Sequence, residues 1–405
     1  MKISIKWRYI FSQIIMSAAI AAFMPVFYVM LSEMGYSNSA IGWYYAVFWF
    51  LSTVFEVPFG IFTDFHGTKR TMLAAIMLKI LGFILLLVPV RNMVSIVIVG
   101  ILTGVGEAGI SGCLPSWFVN ENNQRDKRED VTKIFAKTNA ICCIVSLIVG
   151  FCSGQILYIK NIYFPIYLSL VLFAAAVLFF VVFPKDTVQN QGDKGSGTSR
   201  MAIKWKEKKE TKNIRSIFLQ NRSMILLFIG LSFTDVLNCA PGNQWSKVFE
   251  DLNIFGYIWI GFNGATILGG YILSRAKNIV LTEKKSDLLY LVEISLLFLA
   301  YLLRMKPVMA LIMFLVYVFF YQIHIILYGS YLHTNVINDD ASRNMQISVF
   351  NMTNSLMCTA ALVVIGYMGD GVDLMLVWVI MAAVSGMGYF MFKNKIWKYK
   401  KEIQL

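Results

Sequence analysis

Apolar residues recur along this chain in runs of about twenty, and each run is long enough for a helix to cross a hydrocarbon layer. Twelve such runs can be marked, at residues 9–31, 40–62, 71–90, 93–119, 134–157, 162–184, 222–247, 254–274, 287–304, 307–332, 344–367 and 372–392. The alternation over roughly ten residues that marks a membrane barrel is missing, so the pattern predicts an all-α integral membrane protein with twelve transmembrane helices. Between Pro184 and Arg222 it collapses into PKDTVQNQGDKGSGTSRMAIKWKEKKETKNIRSIFLQNR. Six runs lie on either side, which predicts an N-terminal six-helix half at 1–184, a cytoplasmic linker at 185–221 and a C-terminal six-helix half at 222–405. The Gly/Ser/Gln part of the linker reads as flexible, and MAIKWKEKKETKNIRSIFL reads as a surface helix anchored by Trp205 and Ile217.

Composition agrees with the pattern: 58% of the 405 residues are hydrophobic and 15% charged, against roughly 45–50% and about 25% in soluble domains. The net charge of +13 invites a nucleic-acid reading until its distribution is examined. With both termini cytoplasmic, 29 of the 36 Lys and Arg fall on inner segments and five (Arg91, Lys160, Lys247, Arg304, Lys306) on outer ones, while Lys79 and Lys137 lie within runs. That asymmetry is the positive-inside pattern, so the basicity reports orientation and attraction to anionic lipid, and nucleic acid is not needed to explain it. The location it implies is the cell (plasma) membrane, crossed many times. The first run, after MKISIKWR, is too long for a signal-peptide core and reads as an uncleaved helix. All six cysteines lie within runs, without CxxC or a His at ligand spacing, so they read as packing residues and no metal site is expected. No phosphate-binding loop or catalytic triad is present, so neither an enzyme nor a cofactor is expected.

The second run ends in EVPFGIFTDFHGTKR, residues 56–70. This stretch resembles the major facilitator superfamily, whose members carry G-x-x-x-D-R-x-G-R/K-R/K between their second and third helices. Gly60, Asp64, Gly67, Lys69 and Arg70 stand in matching or near-matching places; Phe65 replaces the usual Arg and Thr68 the first basic residue. E-x-P-x-G-x-x-x-D and the ISGxxxxW pattern of Ile110 to Trp117 look like a drug-efflux branch of the superfamily. The fifth run departs from that branch, reading GFCSGQ at 150–155 without the Gly-Pro element of its proton antiporters. The resemblance implies two six-helix halves with the substrate path between them, and it makes the Asp64 loop a conformational latch; an ordinary polar turn is the alternative.

An ionisable group in a transmembrane helix is costly, so it is expected to face a bundle interior or a water-filled path. Glu56, Lys79 and Glu107 fall at similar depth on the second, third and fourth runs, and Glu107 is set among Gly104, Gly106, Gly109 and Gly112. A cluster of the three reads either as a proton or cation site or as a structural salt bridge. In the second half Asp235 lies deepest, Glu293 lies in the ninth run and His324 in the tenth; each is a proton or substrate candidate with helix packing as the alternative. WYYAVFWF at 43–50 supplies interfacial aromatics and candidate faces for flat lipophilic compounds. The function expected is a secondary active transporter, with proton-coupled efflux of small amphipathic or antibiotic-like compounds. An uptake symporter, a lipid transporter and a non-transporting receptor or immunity protein are the alternatives. The partners expected are a small-molecule substrate, protons and the lipid bilayer, with the protein a monomer.

Overall fold

The structure, a computed structural model, describes residues 4–124, 129–182, 222–275, 280–337 and 343–403, and the side chains of all of these except 222–223, 343–345 and 398–403. The expected linker at 185–221, with Trp205 and Ile217, lies outside the described residues. Within them every regular element is helical. In chain order these are α1 (Ile5–Ala21), α2 (Phe27–Glu33), α3 (Asn38–Val54), α4 (Glu56–His66), α5 (Thr68–Leu87), α6 (Met93–Ser111), α7 (Cys113–Asn123), α8 (Val131–Cys152), α9 (Tyr158–Lys160) and α10 (Phe164–Val182). After the linker come α11 (Arg222–Val248), α12 (Phe255–Arg275), α13 (Glu283–Leu302), α14 (Pro307–Tyr331), α15 (Arg343–Gly371) and α16 (Leu374–Ile403).

Local chemistry sets several of these boundaries. Asn92 caps α6, its Oδ1 accepting from the Ser95 N–H at 2.8 Å, and Asp130 caps α8 by accepting from the Lys133 N–H at 3.1 Å. Each satisfies a backbone donor that the first helical turn leaves without a partner. The Lys133 N–H also holds the exposed Asp130 carboxyl below its usual range. Pro58 has no N–H to donate to Val54 O, and there the second run breaks: α3 and α4 meet at 48° about Phe55. Gly67 joins α4 to α5 at φ +82°, a conformation that side chains with a Cβ rarely adopt.

Helices occupy all twelve expected ranges, but they do not all qualify as membrane crossings. Among the described residues nine are long and apolar enough to cross a membrane, or ten if the bent α3–α4 pair is one span. The two that fall short are α12, diluted by glycines and Asn263, and α13, which carries five charged residues in its 20. Apolar residues also point outward, as with Val171 (64% exposed), Leu178 (70%) and Val182 (85%) on α10. A helix in water would bury such a face; one in lipid has no reason to.

The helices gather into two compact units. The first holds α1, α2, most of α3, α4 to α10 and the first residues of α12; the second holds the start of α3, α11, the rest of α12 and α13 to α16. Phe83, Phe118, Phe173 and Phe180 are sealed in the first, and Phe228, Phe314, Tyr317 and Trp378 in the second. Each unit therefore has its own core.

Candidate functional site

In the first unit, α5 and α6 lie close enough for an ion pair because α6 carries glycine where they touch. A Cβ at Gly106 would stand 2.8 Å from Ala75 O and 2.9 Å from Lys79 Cγ, and one at Gly104 would stand 2.7 Å from Phe48 O on α3. Between those contacts Lys79 donates to Glu107 Oε2. The Lys79 side chain is 2% exposed and that of Glu107 24%. The ammonium also lies 5.8 Å from the Phe48 ring centre and 5.9 Å from that of Phe173, so aromatic faces cover the sides that the carboxylate does not. Gly112, by contrast, faces open space.

Glu56 does not join this pair. It is exposed at the start of α4 and has no ion-pair partner among the described residues. The three-member cluster assumes a straight second span, and the 48° break at Phe55 removes that premise.

The loop between α4 and α5 keeps some of its expected geometry. Gly67 makes the turn, its N–H donating to Thr63 O at 2.8 Å, and Lys69 Nζ donates to Val181 O on α10 at 2.5 Å. Asp64 and Arg70 are exposed and make no ion pair among the described residues. Gly60 has open space where a Cβ would stand, so close approach is not what glycine provides there.

The second unit brings two of its three expected residues into contact. Glu293 on α13 and His324 on α14 are both 0% exposed, and His324 Nδ1 lies 3.0 Å from Oε1 and 3.2 Å from Oε2 of the carboxylate. Nδ1 is the ring nitrogen turned to the carboxyl group, and Nε2 faces the other way. Nε2 has no hydrogen-bond partner among the described residues. Asp235 on α11 is half-buried and bonds neither of them among the described residues. Its Oδ1 accepts from the Tyr321 hydroxyl of α14 at 3.2 Å and its Oδ2 from the Asn354 amide of α15 at 2.7 Å. One turn on, Asn238 Oδ1 accepts from the Tyr317 hydroxyl at 3.0 Å.

Tyr317, Tyr321, Tyr290 and Asn354 escape the sequence reading. Their signal is nonetheless present for α14: Tyr317, Tyr321, His324 and Tyr328 are spaced four, three and four apart, one face of a helix. Tyr290 stands one turn from Glu293, sets its ring edge-on to His324 at 4.9 Å and bonds the Thr234 hydroxyl at 2.7 Å. Of the residues beside Asp235, Gln244 is structural, its Oε1 accepting from the Trp378 indole at 3.0 Å, and Asn243 donates to Cys239 O of its own helix. Among the described residues no group of His, Cys, Asp and Glu is placed to hold a metal ion.

Apolar helices in this number around buried charged side chains define a multi-pass membrane protein. The chain belongs to the Major Facilitator Superfamily, whose profile matches residues 9–397. It is 26% identical over 260 residues to YxaM, an uncharacterized MFS-type transporter of Bacillus subtilis (strain 168). That match spans 62% of this chain and 61% of the relative, so the chain matches less than two thirds of the relative's length. Solved structures that share the fold include two transporters. The nucleoside transporter NupG superposes with a TM-score of 0.74 at 15% identity, covering 97% of this chain and 99% of that one. PepTSo, a POT family transporter, gives 0.70 at 11%, covering 98% of each.

Proposed function

We propose that this protein is a proton-coupled secondary transporter that expels small amphipathic compounds, with basic ones favoured, across the plasma membrane, both termini being cytoplasmic. The observation that carries this reading is the Asp235 carboxylate, half-buried and held by Tyr321 and Asn354, neutral donors that stay in place whether it is charged or not. A carboxylate bound by a fixed cation would resist protonation; one bound by a hydroxyl and an amide can gain and lose a proton within the same cage. The bonded pair of His324 and Glu293, three residues along α14 from Tyr321, is the second place we propose for the proton.

The Lys79–Glu107 pair suits another role. Its cation is closed in by the carboxylate and two aromatic rings, so proton exchange there would leave an ammonium buried without a counter-charge. We assign it to holding α5 against α6. The aromatic side chains near it, Tyr44, Tyr45 and Phe48, support an amphipathic substrate, and efflux follows from the branch resemblance of residues 56–70 and 110–117.

The test is transport by the purified full chain in proteoliposomes, over a panel of amphipathic cations, neutral amphiphiles, nucleosides, sugars and small peptides, with a pH gradient of either sign. The reading expects amphipathic cations to accumulate in vesicles acidic inside and to leak out when a protonophore is added. Gradient-driven movement of nucleosides, sugars or peptides alone, or of nothing in the panel, would contradict it.

A further inference from the structure

The break in the second span sits where it decides what Glu56 can reach. Phe55 N–H donates to Leu51 O at 2.9 Å and Phe59 N–H to Phe55 O at 3.0 Å. Between those two bonds the ladder is open. Ser52 O and Thr53 O do not pair with the N–H groups of Glu56 and Val57, as they would in a continuous helix, and Val54 O meets Pro58, which has no N–H to give. Two of the three missing bonds can therefore re-form with the residues already present. No residue of α4 is buried, so little packing opposes a change at its start.

The packing of α4 sets Glu56 on the side of Lys79. Thr63 Oγ1 donates to Thr71 Oγ1 of α5 at 3.1 Å and lies 3.6 Å from Cys113 Sγ. One turn back, the Phe59 ring and the Ala75 methyl both stand against Gly109 of α6, 2.8 Å and 2.7 Å from where a Cβ would be. Glu56 precedes Phe59 by three residues and Thr63 by seven, the spacing of one helix face. Four residues back along α4, from Thr63 to Phe59, match four forward along α5, from Thr71 to Ala75. The next step sets Phe55 and Glu56 opposite Lys79, which follows Ala75 by four. Glu56 is nonetheless exposed, and Lys79 bonds Glu107.

We propose that Glu56 is a second partner for Lys79, reached when the break rewinds and Ser52 and Thr53 regain their bonds, so that the ammonium passes from Glu107 to Glu56 without losing a carboxylate. A buried ammonium is costly to leave bare, and a second carboxylate beside it lets the first one go. Only an ion pair and hydrogen bonds change; no covalent bond does. Glu107, whose side chain is 24% exposed, is then free to meet the basic group of a substrate. That use rests on the transport reading above, while the exchange of partners does not. Rewinding is uphill in the parent, where Glu107 holds Lys79, so Glu107→Gln still loses stability.

Two measurements on the purified full chain in nanodiscs test this. The first is a double-mutant cycle in melting temperature. Glu56→Gln should shift the parent by no more than about 2 °C, as an exposed substitution does, and should lower Glu107→Gln by about a further 4 °C because it removes the one carboxylate left to Lys79. The second is hydrogen exchange of the peptide that holds the Glu56 and Val57 amides, which should slow about tenfold in Glu107→Gln and return to the parent rate in Glu56→Gln/Glu107→Gln. Glu107→Asp, which keeps the charge but shortens its reach, should slow exchange in the same direction and serves where Glu107→Gln does not fold. Equal effects of Glu56→Gln in both backgrounds, or exchange at 56–57 as fast in the folded Glu107 variant as in the parent, would overturn the proposal. Both expected results in a protein without gradient-driven transport would remove the coupled reading and leave the exchange of partners standing.

Discussion

Glu293 and His324, thirty-one residues apart in sequence, meet at 3.0 Å with neither side chain exposed. Leaving a buried hydrogen-bonding group without its partner costs about 1–3 kcal/mol, and more where that group is charged. His324→Leu should therefore lower thermal stability sharply, whereas Glu293→Gln keeps an acceptor for Nδ1 and should cost less. Thermal unfolding of the two purified variants checks the order; equal losses would contradict it.

The Lys79–Glu107 pair is asymmetric, and the asymmetry fixes a second order. Glu107→Gln strands a cation that is 2% exposed, while Lys79→Met strands a carboxylate that retains 24% of its exposure. Glu107→Gln is expected to be the worse of the two, and the double variant Lys79→Met/Glu107→Gln should recover most of the folded yield because no charge remains. Size-exclusion yield and melting temperature read this directly. A double variant as unstable as the sum of the singles would contradict it.

Glycines on α6 and α4, with Gly112 between α6 and α7, give a packing prediction with its own control. Gly104→Ala places a methyl 2.7 Å from Phe48 O, and Gly106→Ala places one 2.8 Å from Ala75 O, backbone atoms that cannot swing aside. Each should destabilise by about 1–3 kcal/mol, as overpacking does. Gly60→Ala and Gly112→Ala meet open space and should be neutral or slightly stabilising. Melting temperatures of the four variants separate the two groups.

The Asp64 loop carries a kinetic prediction. If Asp64 biases a conformational equilibrium, Asp64→Asn lowers turnover while substrate affinity stays within a few-fold, because populations change more than pocket contacts. Gly67→Ala, at φ +82°, should strain the turn and lower turnover as well. Transport rates equal to the parent's in Asp64→Asn, at matched expression, would leave only an ordinary turn.

Much of the helical layout was legible because membrane helices must be long and apolar, and a run such as 162–184 admits no other reading. The loop at Gly67 was legible for a similarly local reason: a glycine between two helical patterns reads as a turn. The partners of charged residues were not. Depth along a straight helix puts Glu56 level with Lys79, yet the break before Pro58 leaves Glu56 exposed; conversely nothing local to Glu293 points to a histidine on the next helix. Hydropathy gives length and depth but not which way a helix is turned, and pairing depends on that. The aromatic face of α14 was present in the spacing of Tyr317, Tyr321 and Tyr328 but was hidden by the 15% aromatic content of the whole chain.

The most direct test of coupling through the second unit compares Asp235→Asn with the parent protein in the same proteoliposomes, reading substrate accumulation against a pH gradient alongside counterflow exchange without one. The account predicts that Asp235→Asn loses gradient-driven accumulation and retains exchange, because the amide oxygen still accepts from Tyr321 and its NH2 can bond Asn354 once that amide turns over, but it cannot carry the proton. Full gradient-driven accumulation in Asp235→Asn would contradict it.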